Sequence, residues 1–274
     1  KYYDHFVSGR FKVIHIPYQI GLEEGRITQK FIDEVRSEMT EMEFKVLYES
    51  EFPTESEDSL FQWVWINSAL KRDISYGEEK TEVVAGLDVA EMGKDFSVLS
   101  IGNRGVDSNK YQLTKIISWS KTDTMETVGK MAGYITEFKI NNLKIDANGI
   151  GAGGCARLKE LVDEGKLVCK ITAIKGGQSP TSDKAKEKFM NIKAESYWNL
   201  RTILENGNIG LIKHNTLISE LTKMKWELTS SMKIKICDPG TKKGDTSEQK
   251  SPDFSDSLNY LVFKDLYETD WFFY

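Results

Sequence analysis

The sequence predicts an α/β fold, a mixed central sheet flanked by helices, on three observations. The apolar run TEVVAGLDVA has strand length, and two further strand-like runs, DFSVLSIG and KYQLTKIISW, follow it across short turns as a meander. Beyond the meander, helical periodicity alternates with single strands. Finally, 39% apolar and 29% charged residues over a length of 274 are globular values, enough for one sizeable α/β domain and a smaller appendage.

In order, residues 11–20 (FKVIHIPYQI) read as a short strand and 27–40 as a helix. That helix leads into MTEMEFKVLYESEFP, a second helix ended by Pro53, and SESED follows as a surface loop. Trp63, Val64, Trp65 and Ile66 form an apolar knot, and the polar stretch KRDISYGEEK places a boundary near residue 80. Residues 1–80 are therefore expected to form a small α-rich linker segment and 81–274 the main domain. In the main domain, 123–140 is helical with Asp123 as N-cap. LKIDAN is a strand running into the glycines GIGAGG and a helix through Glu164, and LVCKITAI is a fifth strand. A long helix over 183–205 closes at Gly207, 215–228 is amphipathic, and MKIKIC is the last strand. The polar loop DPGTKKGDTSEQKSPD precedes a terminal helix, DFSDSLNYLVFKDLY.

A net charge of −5 argues against a protein coated all over by nucleic acid. Its distribution is uneven, however: Lys166 to Lys250 holds 16 Lys and Arg against 9 Asp and Glu, a local +7 that leaves −12 for the remainder. One face meeting a polyanion is compatible with that pattern, and so are solvated helix faces. Cys155, Cys169 and Cys237 are too few for a disulfide framework, and no CxxC pair suggests zinc, so a reducing, cytosolic setting is expected. The opening KYYDHFVSGRF lacks the apolar core of a signal peptide, and no run approaches the ~20 apolar residues of a membrane span. A start at Lys1 instead of Met leads us to expect a fragment of a longer polypeptide.

Carboxylates at the ends of elements carry the chemistry. Asp88 follows the run VVAGL, which belongs at the centre of a sheet, where an unpaired charge is costly. A hard divalent cation is the usual remedy, since Mg²⁺ takes carboxylate oxygen together with water and phosphate. Asp146 repeats the pattern at the end of LKI, before a glycine turn, and Asp253 opens the last helix behind Pro252. These acids lie 58 and 107 residues apart and can converge only through the fold. Convergence is what two-metal phosphoryl chemistry needs, with ions roughly 3.5 to 4 Å apart. Each acid also has a plainer reading, Asp253 as an N-cap, Asp146 as a turn or cap residue and Asp88 as a structural strand aspartate. Asp95, seven residues past Asp88, and Asp256, one helical turn past Asp253, are candidate auxiliary ligands.

Taken in order, GLDVAEMGKDFSVLSIG, KIDANGIGAGGCARLKE, FMNIKAESYWNLRTILENG and SPDFSDSLNYLVF resemble the nuclease domain of a tailed-bacteriophage large terminase. The resemblance covers about residues 81 to 265 and implies an RNase H-like fold. SEMTEMEFKVLYESEFP and SLFQWVWI resemble the end of that family's ATPase domain and its linker, so 1–80 would be a remnant of the motor half. The resemblance matches Asp88, Asp146 and Asp253 to catalytic acids and implies Mg²⁺- or Mn²⁺-dependent endonucleolytic hydrolysis of double-stranded DNA, leaving a 3′-hydroxyl and a 5′-phosphate. It further implies a viral protein acting in the host-cell cytoplasm, docking on a portal protein and working with a small terminase subunit. The isolated chain is expected to be a monomer. Two features depart from the pattern or limit it: no His stands near the third acid, and no G-x-x-x-x-G-K-[ST] phosphate loop occurs anywhere.

DNA phosphates could be met by Lys242, Lys243 and Lys250 in the loop before Asp253, and by Lys193 and Arg201 on the preceding helix. Two rival readings stand beside the nuclease. Gly149, Gly151 and Gly154 satisfy G-x-G-x-x-G between a strand and a helix, the dinucleotide-binding pattern, although the motif lies mid-chain after a meander. In the other rival, the chain is a non-catalytic DNA-binding or assembly module whose acids only support structure, with no need of metal.

Overall fold

The computed structural model describes residues 14–38, 44–45, 47–50, 58–90, 96–120, 123–148, 151–243, 245 and 251–263. The chain divides into two compact units, one of residues 1–57 with His214–Ser219, the other of 58–213 with 220–274. The smaller carries α1 (Tyr18–Glu23) and α2 (Gln29–Glu38). Within it Phe44 stacks on Tyr48 at 5.3 Å and meets the Tyr18 ring edge-on at 5.4 Å, while the Arg36 guanidinium covers the Phe44 ring. The strand expected at 11–20 is not formed over its described part: 14–17 is irregular, and Pro17, extended at φ −75°, starts α1.

The larger unit opens with α3 (Trp63–Leu70), the apolar knot of the sequence, and then builds one six-stranded sheet. Its strands are β1 (Thr81–Asp88), β2 (Ser97–Gly105), β3 (Tyr111–Trp119), β4 (Asn142–Asp146), β5 (Lys170–Ile174) and β6 (Ile209–Gly210), in the order β5-β4-β1-β2-β3-β6. The meander β1-β2-β3 is antiparallel, whereas β4 lies parallel to β1, β5 parallel to β4, and the short β6 parallel to β3. This is the mixed sheet flanked by helices that the sequence predicts. One face is closed by α4 (Thr124–Phe138), capped by the Asp123 side chain as expected, and by α5 (Gly151–Asp163). Ala85, Leu87, Leu99, Ile101, Leu143 and Ile145 pack there with Val128, Met131, Ile135 and Leu158 in a continuous apolar core.

The single helix expected over 183–205 is two, α6 (Asp183–Lys188) and α7 (Ile192–Glu205). Phe189 turns extended and bridges to Ile234, and Asn191 then starts α7 by accepting from the Ala194 N–H at 2.9 Å. The amphipathic stretch at 215–228 likewise divides into α8 (Asn215–Lys223) and β7 (Lys225–Leu228). β7 pairs with β8 (Ile234–Cys237) in a separate two-stranded sheet, so MKIKIC is a strand outside the central sheet. The last described element, α9 (Asp253–Leu261), covers the other face of the central sheet. No helix among the described residues is long and apolar enough to cross a membrane.

Candidate metal centre

β1 and β4 are parallel neighbours with Leu87 opposite Ile145, so Asp88 and Asp146 stand one step further on, at the carboxyl ends of adjacent strands. Parallel strands lie about 4.8 Å apart, which sets the backbone separation of this pair. Strand alternation sends Leu87 and Ile145 into the apolar core and leaves Asp88, Gly86, Lys144 and Asp146 on the α9 side. There, α9 approaches β1 more closely than any side chain but glycine would allow. A Cβ on Gly86 would stand 2.2 Å from the Ser257 carbonyl oxygen and 2.3 Å from the Leu261 nitrogen. Ser257 fixes the contact by donating to the Gly86 carbonyl and accepting from the Ser100 N–H, each at 2.9 Å.

The first turn of α9 thereby brings Asp253 and Asp256, 3% and 8% exposed, to the ends of β1 and β4. Asp253 does not act as the N-cap, a position held by Pro252; its Oδ2 accepts from the Phe96 N–H at 3.0 Å, which ties α9 to the start of β2. Asp256 Oδ1 accepts from the Tyr197 hydroxyl at 2.7 Å. Asp146 Oδ1 accepts from the backbone and side-chain nitrogens of Asn148, at 2.9 and 2.8 Å, the turn-forming role foreseen as its plainer reading. The two roles coexist, because a carboxylate can accept at several further positions. Gly151 is needed at this corner, since a Cβ there would lie 2.0 Å from the Asp146 carbonyl oxygen. Its lack of a side chain lets α5 start directly beneath the strand end, which accounts for this glycine of the motif without a dinucleotide.

Electrostatics joins the four acids. Burial pushes the Asp88 carboxyl well above the usual carboxylate range, and the charges of Asp256, Asp253 and Asp146 push it further. Asp146 is also raised, chiefly by burial. Asp256 is raised to about 6 by burial, with Lys193 opposing. Lys193 Nζ reaches Asp238 Oδ1 at 2.8 Å and Oδ2 at 3.1 Å, and lies 3.6 Å from Asp256 Oδ2. Burial works against its ammonium, yet Asp256 and Asp238 hold it above its ordinary value. Among the described residues no three His, Cys, Asp or Glu side chains are already closed around one point. The donor set nevertheless fits a hard cation: carboxylates under strong mutual repulsion, desolvated, with one lysine offsetting part of their charge.

The other expected residues lie apart. Lys242 Nζ is held by Asp58 Oδ2 at 2.7 Å and by the Trp226 carbonyl at 3.0 Å, and Lys243 is exposed. The Arg201 guanidinium stacks over Trp198 at 4.6 Å and Trp65 at 5.3 Å. Asp95, Lys250 and Gly149 lie outside the described residues. Sequence reasoning missed Asp238, Tyr197, Lys144 and Glu220. Lys144 did carry a signal, a lysine inside the apolar strand NLKID, where charge is disfavoured without a partner.

No protein-family model matches the chain, and no curated protein matches it significantly. Solved structures do. The nuclease domain of the large terminase subunit gp2 of bacterial virus Sf6 superposes with a TM-score of 0.59 at 18% identity, over 76% of this chain and 99% of that one. A point mutant of the same domain, with manganese, gives 0.60 at 17% identity, over 76% and 100%. The fold is that of a large-terminase nuclease domain. The large terminase nuclease of thermophilic phage G20c, with bound magnesium, superposes at 0.51 and 15% identity, over 76% and 98%. In this chain that shared fold carries Asp88, Asp146 and the α9 acids to one end of the sheet.

Proposed function

We propose that this chain is a metal-dependent endonuclease that cuts double-stranded viral DNA during genome packaging. One observation carries the reading: Asp88 and Asp146 end adjacent parallel strands, and the helix over them buries Asp253 and Asp256 in its first turn, close enough that their charges add to burial in raising the Asp88 carboxyl. The shared fold with phage large-terminase nuclease domains supports it, and several of those structures carry a divalent ion. Asp88, Asp146 and Asp253 would hold the metal, with Asp256 and Asp95 as auxiliary ligands. Mg²⁺ or Mn²⁺, as two ions, would supply charge neutralisation at the phosphate and a water of lowered pKa.

The protein's own part is positioning. The register of β1 against β4 spaces Asp88 from Asp146, and the Phe96 N–H holds Asp253 Oδ2 and so orients its carboxylate at the start of α9. Tyr197 fixes Asp256 in the same way. Lys193 holds Asp256 and Asp238 at the margin of the cluster, where an ammonium could also meet a phosphate oxygen. Lys243, Lys250, Lys242 and Arg201 would provide further phosphate contacts, Lys242 only after leaving Asp58. Residues 1–80 would be the remnant of the ATPase domain and linker, 81–274 the nuclease domain, with portal protein and small terminase subunit as partners in the host-cell cytoplasm.

The test is linearisation of supercoiled plasmid with Mg²⁺, Mn²⁺ or EDTA. Cutting that requires the ion and is lost in Asp88→Asn is expected. Cutting in EDTA, or by the mutant at the parent's rate, would refute the metal mechanism.

A further inference from the structure

We infer that Glu220 is the positioning residue that sets Asp253 and Asp256, acting as the missing cap of α9. The inference rests on the metal-nuclease reading above. α9 carries both acids in its first turn, yet it begins without a local cap, because Pro252 has no side-chain acceptor to offer. All nine of its residues are buried, so water is not at hand to satisfy the first N–H groups. Glu220, 7% exposed on α8, supplies what Pro252 lacks. Its Oε2 accepts from the Ser255 N–H at 2.8 Å, and its carboxylate also accepts from the Phe254 N–H. Those two amides lie between Asp253 and Asp256 in sequence, so any shift of this turn moves both acids together.

The opposite end of the helix is held in a matching way. Lys144, fully buried on β4, donates from Nζ to the Leu261 carbonyl at 2.9 Å. An acceptor carboxyl at the N-terminus and a lysine donor at the C-terminus satisfy backbone groups that the helix leaves unpaired at its two ends. α9 is thus clamped lengthwise by two side chains and pressed sideways into the Gly86 gap. Glu220 belongs to neither β1 nor β4, so it fixes the α9 acids relative to the strand acids without itself being a ligand. Its role is to set how tightly the cluster takes metal, with little effect on turnover once metal is saturating.

The experiment is Mn²⁺ binding by calorimetry on the full chain, with plasmid cutting measured alongside, for the parent, Glu220→Ala, Glu220→Gln and Leu158→Ala. Leu158 lies in the apolar core on the far side of the sheet and controls for loss of stability alone. Glu220→Ala should weaken Mn²⁺ binding about tenfold or more, the scale seen when a group supporting a metal ligand is lost, while cutting at saturating Mn²⁺ approaches the parent's. Glu220→Gln keeps an acceptor oxygen and should bind like the parent, and Leu158→Ala should melt lower yet bind Mn²⁺ normally. If Glu220→Ala does not fold, Glu220→Asp, which keeps the carboxyl but shortens the reach, should be the weak binder beside a parent-like Glu220→Gln. A parent that binds and cuts while the Ala or Asp variant binds equally well overturns the positioning role alone, as does a Gln variant as weak as Ala. A parent that neither binds Mn²⁺ nor cuts overturns the nuclease reading and this inference with it.

Discussion

The two faces of the central sheet are both buried, by opposite chemistry. Under α4 and α5 the strands present Ala85, Leu87, Leu99, Ile101, Leu143 and Ile145, an apolar core in which each contact is replaceable by another of similar volume. Under α9 the same strands present Gly86, Asp88, Ser100, Lys144 and Asp146 beside the buried Val84 and Val98, and directed bonds tie the helix down: Ser257 to Gly86 and Ser100, Lys144 to Leu261. The first face stabilises the fold by removing apolar surface from water. The second holds charges in a dry place, which costs stability and prepares a site. One alternation along β1, residue by residue, assigns the two tasks.

That contrast can be broken most severely at Gly86. Gly86→Ala puts a methyl against the backbone of Ser257 and Leu261, which cannot retreat like a flexible side chain. We expect a loss of about 4 kcal/mol or more, or failure to fold, by denaturant titration. On the apolar face, Leu99→Ala should cost about 2–5 kcal/mol, yet leave the Mn²⁺ concentration for half-maximal cutting unchanged. Asp88→Asn sharpens the comparison from the other side, since it removes a desolvated charge facing three others. It should slow cutting about a hundred- to a thousandfold while the metal-free protein melts at the same temperature or higher.

The pH dependence of the metal-free protein distinguishes the faces again. Asp256, at about 6, and Asp88 and Asp146, both raised, bind protons more tightly folded than unfolded. The Asp256 contribution is therefore fully present below the ordinary carboxylate value near ~4 and is lost as pH rises through about 6, and those of Asp88 and Asp146 fall in the same direction as pH rises through their raised values. Thermal melts should fall over that window, flatten in Asp256→Asn, and recover at neutral pH when Mn²⁺ is added. The smallest effect is expected at Asp58→Asn, which frees Lys242 from a partly exposed ion pair. The change in stability should be under about 1 kcal/mol.

Much of this was legible in the sequence because it depends on local pattern. The strand-length run through VVAGL and the meander after it gave the sheet, and the placement of Asp88 and Asp146 at strand ends gave half of the acid cluster. What was not legible depends on pairing across long separations. Nothing in the residues around Glu220 announces that it caps a helix 35 positions away, or that Tyr197 will meet Asp256. The split of 183–205 into two helices was hidden for a similar reason. Phe189 is a good helix neighbour locally, and only the partner strand at Ile234 draws it into an extended conformation.

Anomalous diffraction from crystals soaked in Mn²⁺ shows whether the polar face of the sheet is a metal centre. Manganese peaks are expected between the carboxylates of Asp88, Asp146 and the first turn of α9. Peaks only elsewhere, or none at a Mn²⁺ concentration that supports DNA cutting in solution, would contradict it.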